Sequence, residues 1–227
     1  MTKLRNILIL GIIVLVVPIY GQEKVFINDE NIKAKSVYID NNRNSKLYDQ
    51  INYWKFRYFD DDSYQYSLDY LYEHKIKLIK KTPVIFATKW ITLKQYKGKF
   101  YAYYPSDFCS NFKQSINDTT FIDWLCDGIV ANKIIDQKQI DSNTYEFNIT
   151  GIYHNDRKIV IHIIDKEKGI AVFEETTNSD TEKYYYLMIS SDKIRSVPLI
   201  VNDFSGGKQL ELRFDKPDFE KLLKTKK

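Results

Sequence analysis

From Pro83 to Asp203 apolar runs alternate with short polar breaks. "TYEFNITGIYH" follows "DSN", "KIVIHIID" follows "NDR", "IAVFEET" follows "KEKG", "KYYYLMIS" follows "NSDTE", and "IRSVPLIVND" follows "SDK". Runs of this length, rich in β-branched and aromatic residues and broken by turn residues, predict an antiparallel meander. Upstream, "VIFATKWITLKQY" and "KFYAYYP" flank "YKGK", where Gly98 suits the positive φ of a two-residue hairpin turn. "FIDWLCDGIVANKIIDQKQI" adds one or two strands, and "PSDFCSNFKQSINDTT" between them reads as a loop or short helix. The breaks are too short for crossover helices, which excludes a doubly wound α/β fold and its dinucleotide site. The expected class is mainly β (α+β): an antiparallel meander forming a curved sheet or partly closed barrel, with one helix before it and a short helix at the C-terminus.

The first third is less regular. "INYWKFRYF" alternates Asn52, Trp54, Phe56 and Tyr58 against Ile51, Tyr53, Lys55, Arg57 and Phe59, the period of a strand. After "DDD", Asp62 or Ser63 can cap a helix whose apolar stripe is Tyr66, Leu68, Leu71 and Tyr72, running over "YQYSLDYLYEHKIKLIKK". At the other end Pro217 suits a first helical turn, with Phe219, Leu222 and Leu223 facing sheet. No fixed-period repeat or linker divides residues 22–227, so they read as one β-rich domain whose Asn-rich start, 22–48, is expected to be loosely packed.

Residues 1–21 pattern differently. Lys3 and Arg5 precede an uncharged run from Ile7 to Tyr20, about 21 Å as helix, short of the roughly 20 residues that span a bilayer core. Pro18 and Gly21 then suit a signal peptide cleaved before Gln22. Ile19 is not the small residue a peptidase prefers three positions before its cut, so an uncleaved anchor is the alternative. No Cys follows the run, which argues against a lipid-modified start. A leader running into "GQ" resembles those of secreted proteins in bacteria of the Bacteroidetes type, which implies a periplasmic or secreted location and nothing about activity.

That location gives meaning to the two cysteines, Cys109 and Cys126, which in an oxidising compartment are expected to form a disulfide. The chain carries a formal charge of +4, and loss of Lys3 and Arg5 with the leader brings it close to neutral. Cations and acids are interspersed, with no basic stripe of the kind nucleic acid requires. An outer-membrane barrel is excluded by "KIIDQKQI" and "KWITLKQYKGKF", whose charges fall on both strand faces.

Candidate chemistry is sparse. No nucleophile elbow, phosphate loop or dinucleotide fingerprint is present, and no cofactor is expected. His74, His154 and His162 lack the spacing of a helical zinc site, and the run Asp60–Asp62 lacks the glycine of a calcium loop. His162 alternates with the isoleucines of "IVIHII" and is expected to be partly buried. Asp107, Asp123, Asp127, Glu174 and Glu175 are available as paired acids for glycoside hydrolysis, which needs carboxyls about 5 to 9 Å apart. With 18 Tyr and 13 Phe, aromatic residues are the remaining candidates for ligand contact: Trp90, Tyr101, Tyr103, Trp124, Tyr184 and Tyr186, together with His162. The expected function is a non-enzymatic exported protein binding an apolar or amphipathic small molecule or a protein partner. A secreted carboxylate-dependent hydrolase acting on polysaccharide is the alternative.

Overall fold

The computed structural model describes residues 24–28, 36–52, 56–107, 109, 111–152, 156–177, 180–203 and 212–224. The expected signal segment, Trp54 and His154 lie outside the described residues. Eight antiparallel strands close into a barrel: β3 (Lys89–Thr92), β6 (Lys113–Ile116), β7 (Thr120–Leu125), β8 (Gly128–Asp141), β9 (Thr144–Thr150), β10 (Asp156–Asp165), β11 (Ile170–Thr177) and β12 (Asp180–Ser190). Their order around the barrel is β3-β6-β7-β8-β9-β10-β11-β12, with β12 returning to β3. The expected meander is therefore present, and it closes fully.

Along each strand the alternate side chains fill the interior. Phe121, Phe147, Ile159, Ile161 and Phe173 are fully buried there with Trp90. Trp90 meets Phe173 edge-on at 5.3 Å, as Phe121 meets Phe147 at 5.8 Å. An eight-stranded barrel is just wide enough for its own side chains to fill. Ile85 and Ala87, in the extended segment after the second helix, bury themselves in the same cluster. Lys81 and Gln137 tie that segment to β8 through hydrogen bonds to Ile135 and Thr82 carbonyls at 2.6 and 2.8 Å.

A second, five-stranded sheet packs outside the barrel in the order β1 (Val25–Phe26), β2 (Val37–Asp40), β13 (Leu199–Asn202), β5 (Lys99–Tyr104), β4 (Lys94–Tyr96). The hairpin expected at "YKGK" joins β4 and β5, with φ positive at both Lys97 (48°) and Gly98 (72°). Two departures from a pure meander follow from this sheet. "WITLKQY" is not one strand: it breaks at Leu93 and passes from barrel to sheet. "IRSVPLIVND" is likewise split, because Ser191–Ser196 is a 3-10 turn and β13 then runs parallel to β5. Residues 36–48, from the stretch expected to be loose, place Val37, Tyr38 and Tyr48 in buried positions. The Tyr48 hydroxyl donates to the Val197 carbonyl at 2.7 Å.

Among the described residues three α-helices complete the fold: α1 (Leu47–Ile51), α2 (Asp62–Glu73) and α3 (Phe219–Lys224). None of the described residues of the strand expected over 51–59 is in a strand. Ile51 ends α1, Phe56 has φ 49°, and its ring meets Trp124 edge-on at 5.3 Å. Phe56 and Tyr58 pack against Trp124 on the barrel flank, and Phe59 is left 66% exposed. α2 begins a residue or two earlier than expected, its Asp61 carboxylate accepting from the Ser63 and Tyr64 amides, and ends at Glu73 where charged residues replace its apolar stripe. The buried stripe is Tyr64, Ser67 and Leu71, whereas Tyr66 and Tyr72 face outward. α3 lies on the outer wall, with Phe219 stacked on Tyr185 at 5.4 Å.

Candidate functional site

One barrel end differs from the rest of the interior. Where β7 turns into β8, the inward positions change from apolar to Gln114, Asp123, Asn132, Arg157, Glu175 and Tyr186. The Arg157 guanidinium is 7% exposed and donates to both acids: Nη2 to Asp123 and Nη1 to Glu175 at 3.0 Å. Asp123 also accepts from Gln114 at 2.9 Å and Asn132 at 3.0 Å. The Tyr186 hydroxyl donates to Glu175 at 3.0 Å. Desolvation alone would weaken the Arg157 charge; the two carboxylates outweigh it and hold the proton firmly. Burial, with Glu175 and Asp123 beside it, pushes the Tyr186 phenol well above its usual value. The set carries one net negative charge. Arg157 Nε, also buried, has no acceptor among the described residues.

Directly above lies a cavity of about 260 Å³ lined by Tyr66, Leu125, Asp127, Gly128, Val130 and Ile152, with Ser63 and Ser67 at its side. Val130 is the cross-strand partner of Asp123, so the cavity floor adjoins the network. The wall is built by α2. β9 pairs with β8 only from Lys133 onward, so the earlier β8 amides that face away from β7 would lack acceptors. Ser63 and Ser67 supply them, accepting from Ile129 N–H at 3.0 Å and Ala131 N–H at 2.8 Å. This close approach requires Gly128, with φ 141°, where a Cβ would collide with the Ser63 side chain. The cavity presents one aromatic ring, Tyr66 at 63% exposure, and one exposed carboxylate, Asp127.

The expected disulfide is formed between Cys109 and Cys126 and fixes the β7–β8 turn. Closing a loop of 17 residues contributes about 3 kcal/mol through the unfolded chain. On its far side is a smaller cavity, about 120 Å³, lined by Asp107, Asn111, Lys113 and Trp124. Lys113 is 2% exposed, and burial pulls its amine down to about 8. In the unfolded chain that amine would titrate at its ordinary 10.5, so between about pH 8 and 10.5 this group binds more protons in the unfolded state and its contribution to stability rises with pH. The wild type is expected to gain about 3 kcal/mol relative to Lys113→Met across that window, read as the difference between the two proteins in urea denaturation at several pH values.

The seven residues singled out as ligand contacts do not share one place. Trp90 lies in the barrel core, its Nε1 donating to the Ala87 carbonyl at 3.0 Å. Tyr101 and Tyr103 are buried in the second sheet's cluster. Trp124 points to the outer flank and donates to Ser115 at 2.9 Å. His162 is on the outer wall, 3.3 Å from Glu174, which Lys183 also contacts at 2.6 Å; burial would raise the Glu174 carboxyl, but its contacts with Lys183 and His162 outweigh that and lower it. Tyr184 is 48% exposed. Only Tyr186 joins the polar end. Of the five acids, Asp123 and Glu175 converge there and Asp127 lines the cavity above.

Gln114, Asn132 and Arg157 were not legible as site residues. A polar residue at an inward position of an otherwise apolar strand, as in "GIVANKI", was the available signal. Among the described residues no three His, Cys, Asp or Glu side chains gather as a metal site, and no helix is long and apolar enough to cross a membrane. Charges occupy the outer wall, where Lys138 and Lys158 meet Glu146 at 2.9 and 4.0 Å. No protein family, curated protein or solved structure matches the chain.

Proposed function

We propose that this is an exported, non-catalytic binding protein that holds a small hydroxyl-bearing ligand, a sugar ring or a molecule of similar chemistry, at the polar end of its barrel. The observation that carries this reading is the juxtaposition, in one cavity of about 260 Å³, of the exposed Tyr66 ring and the Asp127 carboxylate above a buried charged network. A pyranose is amphipathic: its C–H face stacks on an aromatic ring and its hydroxyls both donate and accept. The ring has Tyr66 and Leu125 to cover, the hydroxyls have carboxylates to donate to, and the volume suits one or two rings. An anionic ligand would meet the net negative charge below; an apolar one would need the barrel interior, which side chains already occupy. The disulfide fits an oxidising compartment, and with the leader it supports export to the periplasm or beyond.

Calorimetric titration with neutral mono- and disaccharides tests the reading. Binding is expected in the wild type and should weaken at least tenfold in Tyr66→Ala and in Asp127→Asn, surface changes that leave the melting temperature in place. No saccharide binding, or affinities unchanged by both substitutions, would refute it. Hydrolysis of polysaccharide is the second reading, favoured by the convergence of Asp123 and Glu175. It requires reducing-end release that Asp123→Asn and Glu175→Gln abolish. Against it, both acids are bonded to one guanidinium, an arrangement that assigns neither the separate role of proton donor.

A further inference from the structure

The side chains around the mouth cavity can accept hydrogen bonds but have almost no protons to give. Ser63 Oγ donates to the Asp61 carboxylate, and Ser67 Oγ donates to the Tyr64 carbonyl at 2.7 Å. Each of these oxygens also accepts a β8 amide, so neither serine has a proton left for a ligand. Asp127 is exposed on the same wall and makes no hydrogen bond or ion pair with the described residues. A carboxylate only accepts, which leaves the Tyr66 hydroxyl as the one side-chain donor among the described residues that line the cavity.

Charge points the same way. No Lys, Arg or His is among the described residues that line the cavity. Below it Arg157 is shared by Asp123 and Glu175, which leaves one negative charge without a counterpart.

Resting on the sugar-binding reading above, we propose that the cavity selects a ligand bearing a protonated primary amine, an amino sugar whose amine is free. An ammonium group has three donors and no acceptor, the complement of a wall that offers a carboxylate and almost no protons. It can place an N–H on Asp127, and its charge is attracted to the face of the exposed Tyr66 ring. The negative network below adds to the attraction. A neutral sugar hydroxyl in the same place donates one proton and turns its own lone pairs toward acceptors. An acetylated amine loses the charge and brings a carbonyl oxygen, for which Tyr66 is the one side-chain donor on the wall. A sugar acid sets its carboxylate against Asp127.

The test is calorimetric titration of the wild-type protein at low salt and about pH 6, where a primary amine is protonated. The probes are glucosamine, glucose, N-acetylglucosamine and, as an amine without a sugar ring, ethanolamine. Glucosamine is expected to bind at least tenfold tighter than glucose or N-acetylglucosamine, a difference of about 1.4 kcal/mol, and tighter than ethanolamine. The preference should narrow as salt is added, because charge attraction at an exposed carboxylate is screened. In Asp127→Asn the ratio of glucosamine to glucose affinity should fall toward one. Equal affinities for the three sugars would overturn the ammonium site and leave the sugar-binding reading standing. Ethanolamine binding as tightly as glucosamine, with glucose silent, would uphold the ammonium site and overturn the sugar reading. Absence of binding by all of the probes would overturn both, and a glucosamine preference undiminished in Asp127→Asn would overturn the role given to Asp127.

Discussion

Arg157→Met should cost about 3–5 kcal/mol, the loss expected when one partner of a buried ion pair is removed and charge is left without compensation. Asp123 and Glu175 would then share a low-dielectric barrel end with no cation between them, and the Gln114 and Asn132 amides could neutralise neither. For a chain of this size each kcal/mol moves the melting temperature by about 2–4 °C, so a fall of roughly 6–20 °C is expected by circular dichroism at pH 7. Arg157→Met combined with Asp123→Leu should be at least 1 kcal/mol more stable than the sum of the two single changes, since contacting residues couple by about 0.5–3 kcal/mol. A single variant within 1 kcal/mol of wild type would mean that the network does not hold this end of the barrel together.

The second large effect is expected in the apolar half. Phe173 is fully buried, 5.3 Å from Trp90 and 5.6 Å from Tyr186 between ring centres, and joins the apolar packing to the polar network. Phe173→Ala should cost about 3–5 kcal/mol through lost burial and the space left behind. That space, lined by Trp90, Ile161 and Met188 from the same cluster, is apolar and should accept benzene. Benzene should therefore raise the melting temperature of Phe173→Ala and leave the wild type unchanged. If the wild type responded as strongly, its interior would have room for an apolar ligand and the mouth would lose its priority as the binding site.

The strands that bury one face against the interior were legible, because alternation is what a half-buried strand imposes on sequence. β9 and β10 follow it almost residue by residue, whereas β11 is buried on both faces from Ile170 to Phe173. β6 was not: "KQSI" reads as a polar loop, yet all four of its residues are buried. Gln114 is satisfied by Asp123 and Tyr186, and Ser115 accepts from Trp124; the β6–β7 hairpin supplies Asp123 and Trp124, whereas only barrel closure brings Tyr186 near. For the same reason Asp123 and Glu175 could be named as acids but not as neighbours, and Arg157, 34 residues from Asp123, gave no local sign. α2 shows the converse. Its helical period was visible, but Ser67 replaces an apolar residue on the buried face in order to accept from the β8 amide, and this displaced the expected stripe onto Tyr66 and Tyr72. Tyr66 lies on the other face of α2 and is exposed.

The glycines offer the most direct check on where a ligand sits, since their amide nitrogens resolve apart from other residues in a two-dimensional spectrum. Gly128 lines the mouth cavity, and Gly151 packs against Asn132 of the network. Gly98 turns the β4–β5 hairpin, and Gly169 lies at the opposite end of the barrel, against Lys193. Titration of the ¹⁵N-labelled protein with the tightest-binding saccharide should shift Gly128 and Gly151 and leave Gly98 and Gly169 in place. Movement of Gly98 or Gly169 with Gly128 unmoved would contradict a binding site at the polar end of the barrel.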